Sequence, residues 1–341
     1  MQETSKLLTI SIASYNVEEF LSRTVGSVIL PDEFMKFLDI VIVNDGSKDG
    51  TLSVASKLAA NYPDSIRVID KPNGGYGSTV NDGLYSAKGK YFKLLDGDDE
   101  FNTENLTLLL KYLMHAEADL IITPWVIMKE GSDSREIVRK HTELSTECID
   151  MEEASFGDRI AMFEVCIRTS LMRELGVRIS EHCFYTDNEV VMGALMCART
   201  VAMFDKPLYC YRLGVEGQSV SIEGQRKHFR DYPKAFKGAL NIYEEGRKAL
   251  DGNIKGGRKF ATDMLISMLM RGTYIAYMLQ ERPLSYRAEL MAFDSFIKRE
   301  YSELYELTGR TKVVGYARKA GPLGYRILCR LVYRMELKRT R

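Results

Sequence analysis

Residues 91–99 read Tyr91-Phe92-Lys93-Leu94-Leu95-Asp96-Gly97-Asp98-Asp99. A strand-forming run over Tyr91–Leu95 stops on a turn that carries three carboxylates. Like charges crowded together are costly unless a cation or protons neutralise them. Carboxylates two residues apart on a turn can face one divalent cation and a sugar hydroxyl together, and hard oxygen ligands suit Mg²⁺ or Mn²⁺. An isolated Asp-x-Asp reads first as a solvated turn, because the pattern is short and common. The segments on either side change that reading.

Upstream, three more apolar runs end in polar clusters. Leu8–Ala13 leads into Ser14-Tyr15-Asn16, Asp39–Val43 into Asn44-Asp45-Gly46-Ser47, and Ile66–Ile69 into Lys71-Pro72-Asn73-Gly74-Gly75. Between them the spacing predicts helices from about Glu18 to Ile29, over Thr51–Asn61 and over Ser78–Ala87. Downstream, Asn102 or Thr103 can cap a helix through His115, and Leu120–Thr123 is a fifth strand. Continuous apolar strands alternating with helices predict an α/β fold with a mostly parallel central sheet covered on both faces. Ligands bind such sheets beyond the carboxyl ends of the strands, where all four polar clusters fall. From Ile121 to about Leu213 the pattern is mixed; after Gln225 it turns helical, with Ala261–Leu279 a long amphipathic candidate. The expected organisation is a catalytic domain over 1–222 and a C-terminal helical region over 223–341.

Two clusters have ordinary readings as well. Asn44-Asp45-Gly46-Ser47-Lys48-Asp49-Gly50 is turn chemistry entering a helix, with Ser47 or Asp49 as cap; the same turn can present Asp45 to a base edge. Asn73-Gly74-Gly75-Tyr76-Gly77-Ser78 brings backbone close to something at a helix start, as phosphate sites do. It half-imitates a dinucleotide fingerprint, but Val80 stands where the third glycine belongs and the segment follows the third strand, not the first. No Gly-Lys-Ser/Thr loop is present. Dehydrogenase and P-loop readings are therefore rejected.

Taken in order, Ile12–Glu18, Val41–Thr51, Asn73–Gly83 and Leu94–Asp99 resemble the inverting family 2 glycosyltransferases of GT-A fold. Tyr185-Thr186-Asp187-Asn188-Glu189, Lys206–Arg212 and Gly217-Gln218-Ser219-Val220-Ser221 continue the resemblance, which covers roughly residues 7–222. It implies a nucleotide-sugar site made of Ser14, Tyr15, Asn16, Glu18, Asp45, Lys71, Asn73, Gly74, Gly75 and Asp96. Tyr15 would line the uracil of a UDP-sugar, Asp45 would bond its edge and Glu18 would help hold the nucleoside. Lys71 and Asn73 would lie near base and ribose. Asp98, with Asp96 as a further candidate, would hold Mn²⁺ or Mg²⁺ on the diphosphate. Asp187 matches the catalytic base. Thr186 stands where relatives often have Glu, and Glu189 is the alternative base. Two apart on a helix, Asp187 and Glu189 point about 200° apart, so one of them faces the pocket. Acidic residues at a helix start also serve as caps. The processive-synthase signature Gln-x-x-Arg-Trp is absent, which favours transfer of one sugar to a glycan or lipid-linked acceptor. The rival readings are a sugar-phosphate nucleotidyltransferase, whose N-terminal glycine-rich loop has no counterpart over Leu8–Tyr15, and a non-catalytic nucleotide-sugar-binding scaffold.

The whole chain has 341 residues, with 47 Lys+Arg against 47 Asp+Glu. A balanced total gives no pull towards nucleic acid. The six cysteines are scattered without metal spacing, which fits a reducing cytoplasm. No stretch approaches the ~20 apolar residues of a membrane span. The charge is uneven, however. Residues 311–341 hold nine Lys/Arg and one Glu, a net of +8, leaving −8 on the first 310. Arg326, Arg330, Arg334 and Lys338 recur every four residues beside Ile327, Leu331 and Met335. Two readings stay open: a helix lying on anionic lipid at the inner membrane face, or one packed on the acidic body.

Overall fold

The computed structural model describes residues 6–129, 134–213 and 221–339. Its strands are β1 (Leu8–Ser14), β2 (Leu38–Asp45), β3 (Ile66–Lys71), β4 (Tyr91–Asp96), β5 (Glu100–Phe101) and β6 (Leu120–Ile122). They continue with β7 (Trp125–Lys129), β8 (Arg135–Val138), β9 (Ile149–Asp150), β10 (Val165–Arg168), β11 (Thr200–Met203) and β12 (Tyr209–Leu213). The main sheet has the order β3-β2-β1-β4-β10-β6-β11-β9, and a small sheet has the order β5-β12-β7-β8. β3, β2, β1 and β4 are mutually parallel, as expected. β10 inserts antiparallel between β4 and β6, so the sheet as a whole is mixed, with four of its seven pairings parallel.

Side chains alternate faces along each strand, and each face has its own core. Phe92, Leu94, Leu120 and Ile122 join one; Tyr91, Leu95 and Ile121 join the other. The second core is covered by helices Glu18–Gly26 and Thr103–Leu113. The first runs without a break from Val80 through helices Asp187–Cys197 and Gly256–Met278 to Val332. The helices after residue 222 thus share their core with one face of the sheet.

The element starts and stops follow local chemistry. The helix expected to reach Ile29 ends at Gly26, five residues before Pro31. The helix after the glycine-rich segment begins at Tyr76, directly after Gly75, whose φ of +82° is costly for any other residue. The parallel register sets Ser14 beside Asn44, Ala13 beside Asp96 and Asp45 beside Lys71. The polar ends of four strands therefore stand in one row.

Candidate active site

The first wall of the site is two loops tied to each other. Asn16, at φ +53°, donates its N–H to Ser47 Oγ (3.0 Å) and accepts from the Lys48 N–H through Oδ1 (2.8 Å). The Glu18 N–H donates to Asp49 Oδ2 (3.1 Å), and the Gly50 N–H donates to Glu18 Oε2 (2.7 Å). A Cβ at Gly50 would fall 2.2 Å from the Glu18 carboxylate. Glu18 is thus placed as a brace between loops. Tyr15, 47% exposed, presents an open ring at the rim, while Ser14 is buried at the end of β1.

Asp45 sits behind that wall at 2% exposure. Its carboxylate accepts from Lys71 Nζ (2.9 Å), Asn73 Nδ2 (3.0 Å), the Gly74 N–H (2.8 Å) and the Gly75 N–H (2.8 Å). Ser78 Oγ approaches at 3.3 Å. Two carboxylate oxygens offer about four lone-pair sites, so these donors fill Asp45. The structure makes it the anchor of the glycine-rich segment, with Lys71 and Asn73 turned inward to it. A base edge could bond Asp45 only in exchange for one of these donors. Asp45→Ala should therefore act on the fold: it strips a largely buried ammonium of its counter-charge and leaves two backbone N–H groups unpaired. The expected loss is about 3 kcal/mol of unfolding free energy, checked by urea titration.

The acidic turn is held from β12. The Asp96 N–H donates to Tyr209 Oη (3.2 Å), and that hydroxyl donates to Asp99 Oδ2 (2.7 Å). The Arg212 N–H donates to Asp99 Oδ1 (2.8 Å). Asp99 is buried and structural; Asp96 and Asp98 are each partly exposed. Asp96 Oδ1 is buried and has no hydrogen-bond partner, an arrangement costly for an ionised oxygen. Burial, then repulsion from Asp98, pushes the Asp96 carboxyl up to about 7; the Tyr76 hydroxyl opposes the shift and the Asp187 charge adds to it. Burial, then Asp96 and Asp98, pushes Asp99 up to about 8. Asp98 is raised too, by burial, against the pull of Arg212 and Arg23. Those two arginines both pair with Glu100, at 2.5 and 2.8 Å.

Among the described residues no three His, Cys, Asp or Glu side chains are grouped to hold a metal. Mg²⁺-type sites, however, often use one or two carboxylates and complete the shell with substrate phosphates and water. The unpartnered Asp96 oxygen and the half-buried Asp98 fit that kind of site.

Asp187 opens the helix Asp187–Cys197 and is half-buried. Burial raises its carboxyl, tempered by Arg159. Its charge acts on both Asp96 and the Tyr76 hydroxyl, so the three groups lie near one another. Glu189 lies elsewhere. It is fully buried, accepts from the Ser180 N–H (2.7 Å), and would touch a Cβ at Gly238 within 2.4 Å. Burial pushes it up to about 7. Of the two carboxylates, Glu189 is sealed from solvent, and Asp187 is the one left half-buried with its charge acting on Asp96.

The segment before Asp187 lies on the glycine-rich loop. The His182 N–H donates to the Gly74 carbonyl (2.6 Å), and a Cβ at Gly77 would sit 2.0 Å from the Ser180 carbonyl. His182 and Tyr185 take positive φ, +49° and +66°. Tyr185 stacks on Tyr232 (3.9 Å) and Phe184 on His228 (3.6 Å). Of the resembling loop Gly217–Ser221, residues 217–220 lie outside the described residues. Sequence reasoning missed Tyr76 and Tyr209 as parts of the site. Both stand inside the quoted motifs, but nothing local shows which carboxylate a tyrosine reaches.

Residues 9–175 match the family model "Glycosyl transferase family 2". A 105-residue stretch is 39% identical to the chondroitin synthase of Pasteurella multocida (strain Pm70), covering 31% of this chain and 11% of that one. The chain spans less than two thirds of the length of the curated relatives it matches. Among solved structures, S. aureus TarS 1-349 in complex with UDP-GlcNAc superposes with a TM-score of 0.67 at 15% identity, over 97% of this chain and 92% of that one. The mannosyltransferase PcManGT of Pyrobaculum calidifontis, in complex with GDP-Man and Mn²⁺, does so with a TM-score of 0.52 at 15% identity, over 97% and 87%. At these identities the superpositions establish the fold, which is GT-A. Fold, motif order and family match agree: residues 9–175, just under half of the chain, carry a glycosyl transferase family 2 domain.

Proposed function

We propose that this chain transfers one sugar, with inversion, from a UDP-sugar to a hydroxyl of a glycan or lipid-linked glycan during assembly of a bacterial surface polysaccharide or glycolipid. The observation that carries the reading is the half-buried Asp187 close enough for its charge to act on Asp96 of the acidic turn, at the carboxyl end of a parallel strand. The sugar-nucleotide complex of TarS and the polysaccharide product named for the Pasteurella relative support it.

The chemistry follows from the groups present. Tyr15 offers a face for the base, and the loops braced by Asn16, Glu18 and Asp45 shape its pocket. Asp96 and Asp98 would hold Mn²⁺ or Mg²⁺; such a cation, when bound, offsets the charge that gathers on the departing diphosphate. Asp187 takes the proton of the acceptor hydroxyl as the new bond to C1 forms. Burial raises its pKa and so makes it a stronger base than an exposed aspartate. Attack opposite the leaving group inverts the anomeric centre. A binding-only scaffold would use the acidic turn to hold the diphosphate but would have no use for a basic Asp187 beside it. Nucleotide sugars are cytoplasmic metabolites, so the reading sets the reaction in the cytoplasm, with a lipid-linked acceptor met at the inner membrane face.

The test is a screen of the purified chain with Mn²⁺ against several nucleotide sugars, reading melting temperature and nucleotide release. A UDP-sugar should raise the melting temperature, and UDP should be released on adding acceptor glycans. If no nucleotide sugar is bound or turned over, the proposal fails.

A further inference from the structure

The last helix, Pro322–Arg339, packs on the body with one face and leaves the opposite face uncovered. Tyr325, Cys329, Val332 and Glu336 are each no more than 4% exposed. At about 100° per residue these four fall within an arc of about 60°. On the other side Leu323, Ile327, Leu331 and Met335 recur every four residues and are 74%, 53%, 50% and 48% exposed. Arg326, Arg330, Arg334 and Lys338, all exposed, run alongside them and partly overlap them around the helix. The preceding helix, Lys312–Lys319, adds Tyr316 at 65% exposure between exposed Lys312 and Lys319. Scattered surface leucines need no explanation; an aligned apolar row does.

The charges decide what covers it. A second protein surface would need carboxylates along the whole basic row. An anionic bilayer supplies negative charge and an apolar interior in that geometry without further matching. The remaining charge sets the orientation. Residues 1–310 carry −8 and are repelled by such a surface, while residues 311–341 carry +8 and are drawn to it.

The opposite, buried face of the helix is the one turned towards residues near Asp187. Glu336 near its end acts electrostatically on Tyr232. The Tyr232 ring stacks on Tyr185, two residues before Asp187. Arg226 lies over Tyr333 of the same helix at 5.4 Å. We propose that the outer face of Pro322–Arg339 docks on an anionic lipid bilayer and so seats the chain on it. The use of that seating, to reach a lipid-linked acceptor, rests on the proposed function; the docking does not.

The experiment sediments the full chain with vesicles of phosphatidylcholine alone or with added phosphatidylglycerol. The anionic vesicles should carry the chain down and the neutral ones should not, and high salt should weaken binding. Two double variants, Ile327→Asp with Leu331→Asp and Arg330→Glu with Arg334→Glu, should each lower partitioning at least about tenfold. All four positions are exposed, so melting temperatures should stay unchanged. Equal binding to neutral vesicles, or variants that bind like the parent chain, would overturn the proposal. So would absence of vesicle binding together with a dimer, seen by light scattering, that Leu331→Asp dissolves; that result assigns the face to a second copy. UDP release measured without vesicles separates the two readings. Lost docking with retained turnover removes only the docking, and docking without turnover removes only the proposed transfer.

Discussion

Asp187→Asn should bind UDP and a UDP-sugar as the parent chain does and transfer the sugar about 10³-fold more slowly, within the range that a positioned general base contributes. The substitution is close to isosteric. Asn188 Nδ2 now donates to Asp187 Oδ1 at 3.0 Å, and an amide oxygen can accept the same bond. What disappears is the basic lone pair and one negative charge. Because the Asp187 charge pushes the Asp96 carboxyl up, its removal eases ionisation of Asp96, so donor binding should not weaken. Calorimetry with UDP and a UDP-release assay separate the two effects. Glu189→Gln is the control. Its amide oxygen can keep the bond from the Ser180 N–H, and its complete burial predicts transfer within a few-fold of normal. The opposite pattern, with transfer kept by Asp187→Asn and lost by Glu189→Gln, would move the base to Glu189.

That distinction shows where sequence reading stops. The helix geometry said that only one of the two carboxylates could face the pocket, and it could not say which. The answer depends on Gly238 and Ser180, which close over Glu189 from another helix and another loop. The fold was more legible, because its signals are local. Leu38–Asp45 is buried along its whole length, and its β-branched centre, Ile40–Val43, apolar on both faces, fits an inner strand. Ends of strands were legible for the same reason, since turn residues act on their own backbone. The antiparallel insertion of β10 left no mark, because Val165–Arg168 would look the same in either direction. Asp45 is the clearest case. Its motif announced a site residue, but only the three-dimensional structure shows that Lys71, Asn73 and two glycine N–H groups from the next strand end fill its lone pairs. Composition and spacing reveal which groups are present, and long-range contacts decide which of them remain available.

Asp98→Ala should weaken Mn²⁺-dependent binding of UDP by about 100-fold or more, beyond what loss of an outer-shell partner costs a metal site. The argument turns on protons as much as on the lost ligand. Burial and mutual repulsion hold the Asp96 and Asp99 carboxyls well above the ordinary 3.8. The folded chain therefore holds protons that the unfolded chain releases, and without a cation its stability falls as pH rises from about 4 towards 8. A divalent cation competes with those protons, so Mn²⁺ should raise the melting temperature strongly at pH 8 and little at pH 5.5, and UDP binding should strengthen over the same window. Removing Asp98 also removes one source of repulsion on both neighbours. The variant should then be at least as stable as the parent chain at pH 8 without metal, while losing the Mn²⁺-induced rise. This pairing distinguishes a lost ligand from a damaged fold: a damaged fold would melt lower under every condition. A parent chain whose melting curve and UDP affinity ignore Mn²⁺ from pH 5.5 to 8 would show that Asp96 and Asp98 meet the donor as protonated acids, hydrogen-bonding a ribose or sugar hydroxyl with no cation between.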